Sequence, residues 1–423
     1  MDKTNDASAF SWIDVPEDND FPIQNLPYGI ITTHSGTRAA SRIGDYVLDL
    51  LALYDLNYFS AIKGLEREMF NTKSLNRFIA CEKSITQAVR WRLFELFEHS
   101  NTELSLNTGH RERILIPVKE VEMLLPVEIG DYTDFYSSIE HATNVGKMFR
   151  DPDNALLPNW RHLPVGYHGR SSSIMVSGTN IHRPNGQIKP NEKENPVYGP
   201  TRLLDFELEI AFVTRKENKL GEAIPIDETD DYIFGLVLFN DLSARDIQKW
   251  EYVPLGPFLG KNFGSVISPW IITMDALEPF KIMGPVKDPE VLPYLQTKGP
   301  KNYDINLEVF IQPENKEAFR VCLSNFRYMY WNMNQQLAHQ TVNGCNVRVG
   351  DLYASGTISG PSPDSFGSML ELSWQGTKPL IFPDGTERKF IHDADTVIMK
   401  AHSRKEGLRI GFGKCITKIL PAK

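Results

Sequence analysis

The stretch Leu204-Asp-Phe-Glu-Leu-Glu-Ile-Ala-Phe-Val-Thr214 decides how this chain is expected to fold and where its chemistry lies. Four apolar residues alternate along it: Phe206, Leu208, Ile210 and Phe212. This alternation predicts a β-strand, so Glu207 and Glu209 share the opposite face, about 7 Å apart. Two carboxylates on so apolar a strand repel each other and resist burial, and a hard divalent cation removes both problems. The alternative is a solvated strand face, the commoner arrangement for an isolated pair of this kind.

Composition places the chain among globular proteins. It has 423 residues, of which 41% are hydrophobic and 11% aromatic, enough for two or more domains with large cores. The net charge is -9 and no block of five like charges occurs, so nucleic acid is not an expected partner. A small anionic substrate would therefore need cations placed locally around it.

Cysteine usage and the first residues predict a cytosolic protein. The four cysteines are scattered without CxxC spacing and are interpreted as thiols in a reducing compartment. The polar start Met1-Asp-Lys-Thr-Asn-Asp6 lacks the apolar segment of a secretory signal. No run of 18 apolar residues occurs, so no membrane partner is expected.

The pattern of apolar runs predicts two domains, at 1–125 and 126–423. Residues 21–60 carry short apolar runs broken by Pro, Gly and Asp, which suggests a small β-barrel or sandwich. A helix follows, with Ser84 and Gln87 as its capping box. The proline-containing runs between residues 114 and 127 indicate the passage between the domains.

The second domain is predicted to be mostly antiparallel β-structure with attached helices, an α+β arrangement. Its candidate strands are 174–176, 206–214, 233–239, 270–274, 305–311, 352–354, 369–374 and 396–399. One helix should begin at Ser243 with Asp246 as its N3 partner, and another should run from near Ser324 to near Asn343, where Gly344 stops it. Residues 183–199 and 287–302 are interpreted as exposed loops.

A first polar cluster contains Asp134 and His141. Asp134 offers oxygen ligands, and His141 lies just beyond it in the sequence. A lone histidine is more often a structural hydrogen-bonding residue than a catalyst, so the interpretation of His141 depends on which residues surround it.

A second cluster follows the apolar run 233–239. Asp241 closes that run, and Arg245, Gln248 and Tyr252 come next at helical spacing, which places hydrogen-bond donors for an oxyanion on one face. Lys261 adds another cation after a glycine-rich turn. The alternative is that Arg245 pairs with a neighbouring carboxylate on the surface and Lys261 is simply exposed.

A third cluster joins Thr357, in a glycine-flanked loop where backbone can approach a ligand, to Glu371. Glu371 is predicted inside an apolar strand, where a carboxylate without a partner is costly. A histidine is a natural partner, because a buried Glu fixes the tautomer of the imidazole and raises its basicity.

At this point the motifs define a resemblance. The stretches that carry it are Phe21-Pro-Ile-Gln-Asn-Leu-Pro-Tyr-Gly, Asp131-Tyr-Thr-Asp-Phe-Tyr-Ser-Ser, His141-Ala-Thr-Asn-Val-Gly, Leu163-Pro-Val-Gly-Tyr-His-Gly-Arg, the segment 240–261 and Ala354-Ser-Gly-Thr-Ile-Ser-Gly-Pro. Together they resemble the fumarylacetoacetase family over nearly the whole chain. The resemblance implies an N-terminal SH3-like barrel, a C-terminal mixed β-sandwich roll and a homodimer.

The resemblance also implies the residues of the site. The implied metal ligands, for Mg²⁺ or Ca²⁺, are Asp134, Glu207, Glu209 and Asp241, with a second metal position near Lys261 and Gly264. The implied general base is His141, oriented by Glu371, and the oxyanion donors are Arg245, Gln248 and Lys261. Substrate contacts are implied for Tyr136, Arg150, Tyr167, Arg245, Gln248, Tyr252 and Thr357.

Three functions remain open at this stage. The resemblance favours metal-dependent hydrolysis of the C–C bond of 4-fumarylacetoacetate to fumarate and acetoacetate, the last step of tyrosine and phenylalanine catabolism. A related acylpyruvate or β-diketone hydrolase, or an oxo-acid decarboxylase, on the same scaffold is the second. A metal-binding protein without turnover is the third, although a scaffold has no need of His141, Glu371 and Lys261 together.

Overall fold

The carboxylate-bearing stretch forms a buried strand, as its alternation predicts. In the computed structural model, which describes residues 3–191 and 195–423, this strand spans Leu208–Thr214 and each of its residues is buried. Its alternate side chains enter two different hydrophobic cores: Ile210 and Phe212 pack into one, Ala211 and Val213 into the other. Glu207 and Glu209 continue the second alternation and emerge at the N-terminal end of the strand.

The N-terminal part of the chain combines a small antiparallel sheet with helices. Its strands are β1 Gly29–Thr33, β2 Gly36–Ile43, β3 Tyr46–Asp49, β4 Leu115–Pro117 and β5 Glu122–Leu124, and its helices are α1 Leu50–Asp55, α2 Asn76–Ile79, α3 Lys83–Phe97 and α4 Thr108–Ile114. The strands are ordered β4–β3–β2–β1–β5, which leaves β4 and β5 at the edges. Every pairing between them is antiparallel.

The remaining part of the chain is rich in strands. The strands are β6 Tyr132–Phe135, β7 Gly166–His168, β8 Ile174–Val176, β9 Ile181–His182, β10 Asn185–Ile188, β11 Val197–Pro200, β12 Leu204–Asp205, β13 Leu208–Thr214, β14 Ile233–Asp241, β15 Ser243–Ala244, β16 Ser265–Ile267, β17 Ile272–Thr273, β18 Lys281–Ile282, β19 Asn302–Tyr303, β20 Asn306–Gln312, β21 Phe319–Asn325, β22 Leu352–Ala354, β23 Leu380–Ile381, β24 Glu387–Arg388, β25 Thr396–Lys405 and β26 Leu408–Leu420. The helices are α5 Ile139–Phe149, α6 Arg245–Glu251, α7 Met274–Leu277, α8 Met333–Thr341 and α9 Met369–Leu372.

A mixed sheet in the order β7–β6–β22–β13–β14–β16–β8 carries most of the polar clusters, with β17 also paired to β14. The pairs β22–β6 and β16–β8 are parallel, whereas β13 pairs antiparallel with both β14 and β22. A second sheet has the order β21–β20–β25–β26–β9. Its apolar residues share one core with Phe206, Leu208 and Ile210, so the two sheets pack through that core. The prediction of a strand-rich structure with attached helices is thereby confirmed.

Several local predictions are corrected by the structure. Helix α3 begins at Lys83 with Glu82 as its N-cap, so the predicted capping box of Ser84 and Gln87 is wrong. Helix α6 begins at Arg245 instead of Ser243, because Ser243 pairs with Asp205 between β15 and β12.

The predicted start of the later helix is also wrong. Ser324 belongs to β21, and α8 begins only at Met333, where Asn332 and Gln335 form a capping box. Gly344, with a φ of +88°, follows the end of that helix as predicted. The predicted loop 183–199 contains the antiparallel pair β10–β11 on either side of residues 192–194, which lie outside the described part of the chain.

Glu371 lies in helix α9 instead of the predicted strand. An apolar run of this length fits a strand or a helix by periodicity alone. The helix wins because its first backbone amides are capped: Ser368 Oγ accepts from Glu371 N at 3.3 Å, and Asp205 accepts from Met369 N at 2.6 Å. Among the described residues, no helix combines the length and apolar character required to cross a bilayer.

Candidate functional site

Four carboxylates from three distant segments converge at one end of the mixed sheet. They are Asp134, Glu207, Glu209 and Asp241, and we call them the acid quartet. All four are buried, and one oxygen from each lies within 4.8 Å of the others. The convergence that the resemblance implies is therefore present in the structure.

Strand pairing fixes the position of each carboxylate. Asp134 is paired with Ala354 between β6 and β22, and Glu209 is paired with Phe239 between β13 and β14. Asp241 ends β14, and Glu207 precedes β13 through an isolated bridge to Ser368. The quartet is thus built on backbone hydrogen bonds of a sheet, which hold side chains more rigidly than a loop does.

The electrostatics of the quartet are unfavourable without a cation. Burial raises the pKa of Asp134 and of Glu209 well above the ordinary range, and repulsion by Asp241 raises both further. Neither Asp134 Oδ1 nor Glu209 Oε1 has a hydrogen-bond partner among residues 3–191 and 195–423. Buried carboxylate oxygens without donors are what a hard cation coordinates.

Lys261 and Arg245 neutralise part of the quartet. Lys261 Nζ lies 2.5 Å from both Glu207 Oε2 and Asp241 Oδ2, and Arg245 Nη2 lies 2.6 Å from Glu207 Oε1. Burial by itself would raise the pKa of Glu207, but Lys261 and Arg245 lower it below its ordinary value. Two positive charges face four carboxylates, so a divalent cation fits the charge as well as the oxygen ligands.

His141 and Glu371 form a buried pair beside the quartet. His141 Nδ1 lies 2.7 Å from Glu371 Oε2. The other groups that contact the Glu371 carboxylate are all donors: Asn144 Nδ2 at 2.9 Å, Ser359 Oγ at 2.9 and 3.0 Å, and Ser368 Oγ at 2.9 Å. Burial by itself would raise the pKa of Glu371, but His141 and these donors lower it, so the carboxylate is ionised and fixed in orientation.

Helix α5 positions the imidazole. Ser138 is the N-cap of α5, and its Oγ accepts from His141 N at 3.2 Å while it donates to Ser359 O at 3.1 Å. The same cap therefore ties the helix that carries His141 to the loop that carries Ser359, a donor to Glu371. The Tyr136 ring packs edge-on against the imidazole, with 5.2 Å between centroids.

The Arg245 guanidinium is held at each of its nitrogens. Its Nε donates to Asp205 Oδ2 at 2.8 Å, and Nη1 donates to Gln248 Oε1 at 3.3 Å. Burial by itself would lower the pKa of Arg245, but Glu207 and Asp205 raise it above its ordinary value. Arg245 is therefore a largely buried, permanently charged group with a side chain only 10% exposed, and the surface-pair alternative is excluded for it.

Asp134 and Glu207 of the quartet, together with His141, line one cavity of about 850 Å³. Among the residues implied as site residues, those that line it are Asp134, Tyr136, His141, Arg150, Tyr167, Glu207, Arg245, Gln248, Tyr252, Lys261 and Thr357. Apolar side chains such as Phe149, Leu156 and Val253 supply much of the remaining wall. A few polar groups converging in a largely apolar cavity are typical of a small-molecule site.

Individual lining residues differ in how they are held. Both Arg150 Nε and Nη2 donate to Ala155 O, at 3.1 and 2.8 Å. Tyr167 Oη donates to Asp241 Oδ2 at 3.4 Å, and Tyr252 is half exposed. Thr357 is buried next to Gly356, whose backbone N–H donates to Glu209 Oε2 at 2.9 Å.

Gly264 does not line the cavity. A Cβ at Gly264 would meet the Ile181 side chain at 3.1 Å, so this glycine faces the protein interior. Lys261, as a charged ammonium, has no lone pair to offer a metal and instead pairs with two members of the quartet. The second metal position near these residues stays a prediction.

Four residues of the site were missed in the sequence: Asp205, Asn144, Ser359 and Ser368. A signal existed for Asp205, since it precedes Glu207 by two residues and so shares the strand face of the quartet. Asn144 follows His141 at helical spacing, which places both on one face of α5. Ser359 and Ser368 gave no signal, because their role depends on contacts with a residue of another element.

Comparisons with known proteins agree with this architecture. The family model described as fumarylacetoacetate (FAA) hydrolase C-terminal matches residues 132–420, and the model described as fumarylacetoacetase N-terminal matches residues 24–126. A solved fumarylacetoacetate hydrolase from psychrophilic Exiguobacterium antarcticum shares the fold, with a TM-score of 0.52 at 15% identity, over 94% of this chain and 100% of that one. Fold and family models therefore define the class of fumarylacetoacetate hydrolase proteins.

The curated relatives narrow the class. The fumarylacetoacetase of Homo sapiens is 53% identical over 415 residues, which cover 97% of this chain and 99% of the relative. The fumarylacetoacetase of Dictyostelium discoideum is 53% identical over 419 residues, covering 97% and 98%, and that of Arabidopsis thaliana is 49% identical over 415 residues, covering 97% and 98%. The chain belongs to the fumarylacetoacetase family.

Proposed function

We propose that this protein is an enzyme that hydrolyses the C–C bond of 4-fumarylacetoacetate to fumarate and acetoacetate, the last step of tyrosine and phenylalanine catabolism. The observation that carries the proposal is that His141, paired with Glu371, lines the same cavity as Asp134 and Glu207 of the acid quartet. Relatives that are named fumarylacetoacetase and cover nearly the whole chain support the same substrate.

Asp134, Glu207, Glu209 and Asp241 would hold the metal ion, for which we propose Mg²⁺ or Ca²⁺. A ligand set of carboxylate oxygens alone suits these hard cations better than zinc, which favours nitrogen and sulfur. When bound, such a cation supplies Lewis acidity toward the oxygens of a β-diketone.

The residues of the chain supply the proton transfers and the charge stabilisation. Glu371 accepts a hydrogen bond from His141 Nδ1, so Nε2 is the nitrogen that takes a proton from water. The hydroxide formed attacks the carbonyl carbon that becomes the new carboxylate of fumarate. Arg245, Gln248 and Lys261 hold the tetrahedral oxyanion. The C–C bond then breaks, its electron pair leaves on acetoacetate as an enolate, and a proton completes the product.

Substrate binding is assigned to five lining residues: Tyr136, Arg150, Tyr167, Tyr252 and Thr357. Arg150 supplies a cation near the cavity for a substrate carboxylate, as expected for a negatively charged protein that binds an anion. The three tyrosines and Thr357 supply hydroxyl groups that fix the orientation of the diketone. This arrangement favours a near-attack geometry before the proton transfer begins.

We propose that 1–125 is an SH3-like barrel, that 126–423 is a β-sandwich roll, and that the protein is a cytosolic homodimer. The antiparallel sheet β4–β3–β2–β1–β5 supports the barrel. An apolar segment beside the cavity supports the dimer, because Leu255 is 97% and Phe258 is 67% exposed. The cysteines are free in the described part of the chain, which supports a reducing compartment. Leu255→Asp should shift the protein toward monomer in sedimentation.

A related acylpyruvate hydrolase or oxo-acid decarboxylase is the second candidate on this scaffold. Such enzymes share the acidic metal ligands, but the match of residues 24–126 to a fumarylacetoacetase N-terminal model favours the first proposal. A panel of fumarylacetoacetate, acylpyruvates and oxo acids separates the two, since the substrate whose ultraviolet absorbance falls fastest identifies the activity.

The test is incubation of the purified protein with fumarylacetoacetate, with and without chelator. We expect the diketone absorbance to fall, fumarate and acetoacetate to appear in equal amounts, and chelator to stop the reaction. Absorbance that stays flat with every diketone and with added Mg²⁺ or Ca²⁺ would overturn the proposal and favour a metal-binding protein without turnover.

A further inference from the structure

The buried carboxylate of Asp205 contacts both Arg245 and the helix that carries Glu371, but it does not line the cavity. Asp205 is fully buried, and its Oδ2 accepts from Arg245 Nε at 2.8 Å. Its Oδ1 accepts from Met369 N at 2.6 Å, and its Oδ2 accepts also from Leu370 N at 3.0 Å. Those two amides are the first of helix α9, which carries Glu371.

The two sets of contacts have two separate effects: one caps helix α9, and the other orients the Arg245 guanidinium. The first amides of a helix lack partners within it, and Asp205 satisfies two of those in α9. The Arg245 side chain could pair through two nitrogens with Glu207, but its Nε is bonded to Asp205 and its Nη1 to Gln248, so only Nη2 pairs with Glu207. Asp205 therefore helps to fix the position of the helix that carries Glu371. It also limits how many nitrogens of the Arg245 guanidinium can pair with the acid quartet.

We infer that Asp205 is a positioning residue that sets the Arg245 guanidinium and the Glu371-bearing helix α9 in register with each other. The inference rests on the proposed function, in which Arg245 holds the oxyanion and Glu371 orients the base. Asp205 reaches the reaction only through those two residues, and it meets neither the cavity nor the predicted substrate.

The kinetic test compares Asp205→Asn with the matched control Asp246→Asn. Asp246 lies on the same helix as Arg245, and its carboxylate accepts from Arg202 N at 2.8 Å and from Thr201 Oγ1. Among the described residues, that carboxylate is hydrogen-bonded to neither the Arg245 guanidinium nor α9. For Asp205→Asn we expect kcat to fall about 100-fold with KM changed by less than about threefold, because misplacement affects the transition state more than binding. Asp246→Asn should retain wild-type kcat.

A double-variant cycle distinguishes positioning from simple structural damage. In an Arg245→Gln background, Asp205→Asn should lower kcat by less than about tenfold, because part of its effect acts through Arg245. A full 100-fold loss in that background, or a kcat of Asp205→Asn within about threefold of wild type, would overturn the inference.

Amide hydrogen exchange tests the same contacts without any substrate. In Asp205→Asn, the peptide that contains Met369 and Leu370 should exchange about tenfold faster than in wild type, since a hydrogen bond to a charged group is lost. The control variant should leave that peptide unchanged. Exchange that is equal in all three proteins contradicts the inference. If the wild type does not hydrolyse fumarylacetoacetate, the proposed function fails while these exchange rates still decide the role of Asp205.

Discussion

The Nδ1 atom of His141 lies 2.7 Å from the Oε2 atom of Glu371, although the two residues are separated by 230 positions in the chain. Both are buried, and the carboxylate receives further hydrogen bonds from Asn144, Ser359 and Ser368. The imidazole is therefore fixed in one tautomer, with Nε2 as the nitrogen left for proton transfer.

Glu371→Gln should lower kcat by about 10³–10⁴-fold, because a neutral amide neither enforces the tautomer nor stabilises an imidazolium. The fold should be retained, since Gln still accepts and donates hydrogen bonds in the same space. The matched control is Glu140→Gln, which alters a carboxylate one residue before His141 that accepts from Ser138 Oγ at 3.5 Å. Steady-state hydrolysis by both variants is the measurement, and near-normal turnover in Glu371→Gln would rule out the pair as the base.

Asp134→Asn should abolish the stabilisation of the protein by Mg²⁺ or Ca²⁺. A cation that binds only the folded state at a hundredfold excess over its Kd raises the free energy of unfolding by about 2.7 kcal/mol. In chelator the variant should be at least as stable as wild type, because it removes a buried carboxylate with an unpartnered oxygen.

Urea unfolding with and without each cation provides the measurement for Asp134→Asn. Asp131→Asn is the control, since Asp131 is exposed and pairs with Arg348 at the surface. An equal response of Asp134→Asn and wild type to both cations would show that the quartet is not the binding site.

Gly356→Ala should destabilise the protein by about 3 kcal/mol or more and weaken cation binding. Gly356 has a φ of +77°, and a Cβ there would lie 2.1 Å from Phe135 O. Relief of that clash would also displace the backbone N–H that donates to Glu209 Oε2.

Gly385 serves as the control that distinguishes the cost of a left-handed backbone from the cost of a steric clash. Gly385 has a φ of +82° and nothing within 4 Å of a built Cβ, so Gly385→Ala should cost only about 1 kcal/mol. The comparison is made by thermal and urea unfolding of the two variants. Equal losses at the two positions would mean that the contact with Phe135 does not govern the loop.

Lys287 should make the stability of the protein rise between about pH 8 and pH 10.5. Burial lowers the pKa of Lys287 from 10.5 to about 8, where its Nζ lies 4.2 Å from the centroid of the Tyr330 ring. Between those two values the unfolded chain binds a proton that the folded protein does not, so stability increases with pH.

The variant Lys287→Met isolates this effect, because other groups that titrate in the same range cancel in the difference. The free energy of unfolding of wild type minus that of the variant should increase by about 3 kcal/mol from pH 7.5 to pH 10.5. A difference that does not change with pH contradicts the prediction.

Where the sequence carried a strong period, local structure followed from it. The strands Ile174–Val176 and Leu352–Ala354 have the bounds predicted for them, and the alternation in Leu208–Thr214 places its residues on the expected faces. The members of the acid quartet were implied by the family resemblance, and they lie on or beside the strands β6, β13 and β14.

Where distant residues decide the structure, the sequence pattern was insufficient. Residues 369–374 are apolar enough for a strand, and the amides that start helix α9 are satisfied by Asp205, 164 positions away. Ser243 is a residue type that favours the N-cap position, but it lies in β15, which pairs with Leu204–Asp205. In each example a long-range hydrogen bond overrides a local preference, and no local window contains that information.

Strand β22, which lies between β6 and β13, has a consequence for protein synthesis. Three members of the quartet have been synthesised by residue 209 and the fourth by residue 241, whereas residues 352–354, which pair with both β6 and β13 and so align Asp134 with Glu209, come more than 100 residues later. A chain that ends before this strand would contain every carboxylate and could pair β13 with β14, but it would lack the strand that aligns Asp134 with Glu209. An ion that requires all four carboxylates would therefore bind only after the late-emerging segment has been inserted into the sheet.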